Sequence, residues 1–175
     1  MKLYKQYRKR LRLNDYDYSN AGYYFVTICT KDKGLFFGNI EKEKMILSGL
    51  GEIVEKHWIQ IPEHYQNVIL DEYVILPNHI HGIIIICGDS KTGQCPVTTD
   101  MENDANRKYG ILSKVINSYK GIVTKMIKRT RIENNFAWQR SFYDRVIRND
   151  EELLKTRQYI QNNPLKWSLD DYYSK

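Results

Sequence analysis

Apolar positions along this chain follow two periods, and they divide it into strands and helices. Gly22 to Thr30 (GYYFVTICT) is rich in aromatic and β-branched residues and predicts a strand. Gly34 and Gly38 punctuate a turn around Leu35, Phe36 and Phe37. Leu50, Ile53, Val54, His57, Trp58 and Ile61 then recur at helical spacing, with Pro62 expected to close that helix. Val68 to Leu76 and His79 to Cys87 read as strands joined by a Pro77-Asn78 turn, hence a hairpin. Ile111, Val115, Ile116, Tyr119, Ile122, Val123, Met126 and Ile127 mark an amphipathic helix. Phe136 to Val146 predicts a short strand with its connections. A last helix is expected from about Asp150 to Asn162, with Asp150 as N-cap, Glu151 and Glu152 in the first turn, and Pro164 ending it. The order strand, helix, strand, strand, helix, strand, helix predicts an α+β domain, a central antiparallel sheet with helices packed on it. The polar, aperiodic stretch Gly88 to Asn106 is expected to be a mobile loop.

Composition narrows this picture. A chain of 175 residues fits one domain with a real core. The longest apolar run, Ile83 to Cys87, is far too short to span a membrane, and the basic N-terminus lacks the apolar core of a signal peptide. Cys29, Cys87 and Cys95 show no ligand spacing, and Cys29 and Cys87 read as small buried hydrophobes, so a reducing cytoplasm is the expected compartment. The net charge of +6 is unevenly spread. Lys2, Lys5, Arg8, Lys9, Arg10 and Arg12 make an acid-free start, expected to be a basic arm over residues 1–20. Arg107 to Arg131 is a second acid-free block, with Lys114, Lys120, Lys125, Lys128 and Arg129 on the helix there. Two such blocks point to a polyanion such as nucleic acid, or else to a solvated helix face and a disordered tail.

The chemistry lies at Pro77-Asn78-His79-Ile80-His81-Gly82. In a strand His79 and His81 point the same way, with Cα atoms about 7 Å apart, so two imidazoles can reach one metal ion while Ile80 enters the core. On the last helix Tyr159 and Asn163 are four residues apart and share a face. A phenol and an amide oxygen there can meet the histidines across the sheet, although no linear spacing demands it.

With those residues in view, the chain resembles the REP-associated tyrosine transposases, relatives of the single-strand insertion-sequence transposases within the HUH nuclease superfamily. The matching pieces are YFVTICT (Tyr24 to Thr30), LFFG (Leu35 to Gly38), VILPNHIHGIIII (Val74 to Ile86), WQRSFYDRVIRND (Trp138 to Asp150) and YIQNNPLKW (Tyr159 to Trp167), in order over nearly the whole chain. The resemblance implies a ferredoxin-like HUH nuclease fold in one domain over residues 21–175. It implies Tyr159 as nucleophile, with His79, His81 and Asn163 as ligands of Mg2+ or Mn2+. It further implies cleavage and rejoining of single-stranded DNA through a 5′-phosphotyrosine, and recognition of a DNA hairpin near the cut. Arg8, Lys9, Arg10, Arg12, Lys114, Lys120, Lys125, Lys128 and Arg129 would then hold DNA, in a cytoplasmic, nucleoid-associated protein. Tyr16, Tyr18, Tyr23 and Tyr24 would offer stacking surfaces for unpaired bases.

Two other readings stand beside this one: a catalytically silent DNA-hairpin-binding protein, and a metal hydrolase that uses water as nucleophile. Tyr119 and Tyr143 compete with Tyr159 as nucleophile but read better as core. Asn163 is also a natural turn residue before proline, and Trp58, Trp138 and Trp167 read as packing residues. The long last helix and the lack of an obvious apolar patch favour a monomer over a homodimer.

Overall fold

The computed structural model describes residues 21–88, 110–132, 135–170 and 172–173. The expected basic arm, all of the expected 88–106 loop after Gly88, and the arginines and lysine at positions 8 to 12 lie outside them. The framework is strand β1 (Gly22–Cys29), helix α1 (Gly49–Ile59), strands β4 (Val68–Leu76) and β5 (His79–Ile86), helix α3 (Ile111–Thr130) and strand β6 (Tyr143–Ile147). The four strands form an antiparallel sheet in the order β4-β5-β1-β6. The alternation of periods predicts the antiparallel sheet with packed helices, and the βαββαβ order, with the first and third strands central, makes it the ferredoxin-like α+β arrangement that the resemblance implies.

The two faces of the sheet bury different things. Tyr24, Val26, Ile28, Ile80, Ile84 and Ile86 meet Leu50, Val54 and Trp58 of α1 and Leu112, Val115, Ile116, Val123 and Ile127 of α3 in the main core. Gly82 belongs to that face. A Cβ there would collide with the Trp58 ring, so the glycine lets α1 lie close against β5. The opposite face, carrying His79, His81, Ile83 and Ile85, is covered by helix α4 (Asp150–Asn162) through Leu153 and Ile160.

Four local differences from the sequence reading have physical causes. A hairpin of strands β2 (Gly38–Glu41) and β3 (Lys44–Leu47) was not foreseen. Its turn residues Lys42 and Glu43 both adopt positive φ, which glycine or asparagine would normally announce. Pro62 does not close a helix; it opens the short helix α2 (Ile61–His64), where its missing N–H costs nothing. The N-cap of α4 is Asn149, whose side chain accepts from the Glu152 N–H at 2.8 Å, and Asp150 is already helical. Pro164 likewise starts a 3-10 helix, Pro164–Leu169, and Asn163 before it keeps helical angles instead of turning to extended backbone. The chain therefore bends under α4 and returns toward the histidines.

Candidate active site

β5 presents both imidazoles to one small space. His79 and His81 are 0% and 2% exposed, and their Nε2 atoms are 3.0 Å apart. Each ring is oriented by its other nitrogen. His79 Nδ1 lies 2.8 Å from Asn78 Oδ1, which can only accept, so Nδ1 carries the proton and Nε2 offers a lone pair. Asn78 is fixed in turn by donating to the Tyr172 carbonyl at 2.8 Å and the Lys33 carbonyl at 3.3 Å. His81 Nδ1 lies 2.8 Å from Thr27 Oγ1, directly across the ladder on β1. A hydroxyl both donates and accepts, so Thr27 supports either tautomer of His81. The proton can sit on His81 Nε2 and bridge to His79, or move to Nδ1 and leave two lone pairs side by side.

α4 brings Tyr159 to the same place. Its hydroxyl is 3.2 Å from His81 Nε2, while the residue stays 47% exposed. Phe25 holds both rings, stacked on His81 at 5.2 Å and edge-on to Tyr159 at 6.0 Å. Asn163, one turn on, is 3% exposed, and its Oδ1 is buried with no hydrogen-bond partner among the described residues.

Asp170 is the acid that the sequence reading missed. Its Oδ1 is 3.9 Å from His79 Nε2 and its Oδ2 is 4.0 Å from His81 Nε2. The 3-10 helix after Pro164 delivers it, and the Tyr172 N–H bonds Oδ1 at 2.7 Å. An Asp six residues after a proline carries no spacing signal; only the return of the chain brings it in. Trp167, expected to be a packing residue, sits 5.9 Å from the His79 ring, and Tyr172 closes the same side at 4.8 Å.

Burial dominates the electrostatics. It pushes His79 well below the ordinary histidine range, helped by the neighbouring His81 and only partly offset by Asp170. Burial lowers His81 too, against the pull of the carboxylate. For Asp170 burial acts upward, but the imidazoles and the Tyr172 backbone outweigh it and hold the carboxyl below its usual range. The centre thus keeps neutral imidazoles beside an ionised carboxylate at neutral pH. Among the described residues, His79, His81 and Asp170 form a group able to hold a metal ion, with one ligand atom from each within 4.8 Å of the others. The donor set fits a divalent ion. Ligands at about 2.1 Å in adjacent octahedral positions are about 3 Å apart, the observed Nε2 spacing.

Of the competing tyrosines, Tyr143 is half-buried on the histidine face of the sheet, in register with Thr27, and is not the core residue expected. Tyr119 is core, donating to the Val54 carbonyl, and Tyr143 packs 6.0 Å from Tyr172. Lys114, Lys125, Lys128 and Arg129 line the exposed side of α3. Lys120 does not join them. It is buried, and its ammonium donates to the Gln139 carbonyl at 2.7 Å and the Arg140 carbonyl at 3.4 Å, so it ties down a loop instead of facing solvent.

No protein-family model matches the chain. A protein of Haemophilus influenzae (strain ATCC 51907 / DSM 11121 / KW20 / Rd), described only as uncharacterized, is 36% identical over 170 residues, which cover 95% of this chain and 93% of that protein. The chain belongs to its family. Among solved structures, a REP-associated tyrosine transposase bound to a REP hairpin is similar in fold. Its TM-score is 0.51 at 19% identity, covering 89% of this chain and 73% of that one. The shared feature is the α+β fold: one antiparallel sheet with helices packed on it. No helix among the described residues is long and apolar enough to cross a membrane.

Proposed function

We propose that this family member is a metal-dependent strand transferase for single-stranded DNA, with Tyr159 as nucleophile. The observation that carries the reading is the 3.2 Å approach of the Tyr159 hydroxyl to His81, beside a second imidazole and a buried carboxylate. His79, His81 and Asp170, with Asn163, would hold Mg2+ or Mn2+; two imidazoles favour manganese. When bound, the ion supplies positive charge to the non-bridging oxygens of a phosphodiester. The phenol oxygen forms a bond to phosphorus and the bond from phosphorus to the 3′ oxygen breaks. The phenol gives up one proton and the leaving 3′ hydroxyl takes one. The 5′ phosphate remains on Tyr159, its bond energy kept, and a second 3′ hydroxyl reverses the step to join a new strand. Half-exposure suits Tyr159 to this work, because DNA must reach it.

The fold likeness to a hairpin-bound transposase supports a hairpin-bearing single strand as substrate. Lys114, Lys125, Lys128 and Arg129, with Arg8, Lys9, Arg10 and Arg12 of the proposed arm at 1–20, would grip its backbone, leaving 21–175 as the HUH domain.

The test is a single-stranded hairpin oligonucleotide incubated with protein and Mn2+, then resolved under denaturing conditions. A covalent protein–DNA adduct is expected, lost in Tyr159→Phe, while Asp170→Asn lowers Mn2+ affinity tenfold or more by calorimetry. Cleavage that persists in Tyr159→Phe without an adduct identifies a water-using hydrolase. Binding without cleavage in the wild type identifies a silent hairpin-binding protein.

A further inference from the structure

Tyr159 meets Phe25 and His81 on one side and is half-exposed, so the rotation of its helix bears on how closely the hydroxyl approaches the histidines. Helix α4 rests on the sheet through Leu153, Thr156, Ile160 and Asn163, a narrow inward stripe. At about 100° per residue, Arg157 lies about 80° to one side of that stripe and Tyr159 about 80° to the other. The helix is therefore a roller. Turning about its axis on the stripe moves Arg157 and Tyr159 together. With the phenol oxygen about 9 Å from the axis, a roll of 10° shifts it by about 1.5 Å.

The far flank is clamped. Arg157 makes a forked pair with Asp71 on β4, Nε to Oδ1 at 3.0 Å and Nη2 to Oδ2 at 2.5 Å. Asp71 sits in a β-bulge, where Asp71 and Glu72 together oppose Ile83 alone. The bulge turns both acids toward α4. Asp71 Oδ1 also accepts the Glu72 N–H at 2.7 Å, so the carboxylate is fixed before arginine meets it, and Glu72 accepts from Gln161 at 3.1 Å. Two polar contacts thus bracket Tyr159 in sequence, at 157 and 161, on the side of the helix away from the phenol.

We propose that the Asp71–Arg157 pair, seated on the β4 bulge, is a positioning device that sets the roll of α4 and so aims Tyr159 at the histidine centre. The inference rests on Tyr159 as the nucleophile. Neither residue touches the reacting atoms, so both act through the helix. A misplacement near 1 Å in a reacting group costs up to about a hundredfold in rate. A forked guanidinium–carboxylate pair fixes direction as well as distance, which lysine cannot do.

The experiment is single-turnover adduct formation on the hairpin oligonucleotide with Mn2+ for wild type, Asp71→Ala, Arg157→Ala and the double variant. Each single change is expected to lower the rate at saturating DNA at least tenfold with unchanged DNA affinity. The double variant is expected to be no slower than either single one, because both remove the same constraint. Arg157→Lys, which keeps charge and loses the fork, should also be slow; it replaces the alanine variants if they do not fold. Independently of turnover, 3-fluorotyrosine installed at 159 should shift its fluorine resonance toward the free-tyrosine value in Asp71→Ala. Wild-type rates in the folded single variants, or rate losses that follow DNA affinity, overturn the inference. If the wild type forms no adduct, the strand-transfer reading fails by itself, and the fluorine resonance alone decides the clamp: unmoved, it overturns it.

Discussion

Protons and a divalent ion would compete for the same few atoms at this site. A free histidine protonates near 6.5. Burial and the neighbouring ring keep His79 neutral to well below that in the folded chain. Between those two values the unfolded chain binds more protons than the folded one, so stability is complete above about pH 7 and falls as pH falls. His81 acts in the same sense, and Asp170 adds to the loss only below the ordinary carboxylate range. Melting temperatures of the chelator-treated protein should be level above pH 7 and decline from pH 6.5 to 5, and His79→Gln should flatten the decline. The alternation of β5 announced the two histidines, because a strand leaves no choice of face. Tyr159 and Asn163 were legible as neighbours on one helical face, but the approach of Tyr159 to His81 was not. Asp170 was invisible, since its place depends on Asn163 staying helical before a proline, against the usual preference of that position.

Among the elements, β5 does two jobs at once. Its odd-numbered positions hold the histidines and its even-numbered ones the main core, with Gly82 between them admitting Trp58. Gly82→Ala should force the Trp58 ring and α1 outward and cost about 1–3 kcal/mol in denaturant unfolding. An unchanged midpoint would mean that α1 is not seated against β5 as described. Strands and long helices were readable because burial on one face imposes a period. The β2–β3 hairpin was not, since four-residue strands in a charged stretch show no period and the turn lacks its usual residues. The bulge at Asp71 and Glu72 escaped notice for the same reason: one inserted residue breaks the alternation it would be read from.

For the molecule as a whole, charge decides which surface meets a polyanion. Lys125, Lys128 and Arg129 are exposed at the end of α3, whereas Lys120 is committed to backbone carbonyls. Replacing the first three with glutamine should weaken binding to any single-stranded oligonucleotide. It should also reduce the slope of log affinity against log salt by about 2, at about 0.7 per phosphate contact. Lys120→Gln should lower the melting temperature and leave that slope alone. The sequence showed the acid-free block but not which of its cations were free. Only the packing of Trp138 and the 139–140 loop against α3 separates them.

The sheet also divides risk. Most of the apolar burial that keeps the chain folded lies beneath α1 and α3, while the reactive groups lie on the other side under one thinly seated helix. Mutations can accumulate on the reactive side without threatening the scaffold. A lineage released from selection for chemistry would lose its phenol or its imidazoles first and keep a sound, cationic domain. On the strand-transfer reading, descendants of such a protein should be found as well-folded molecules long after the chemistry is lost.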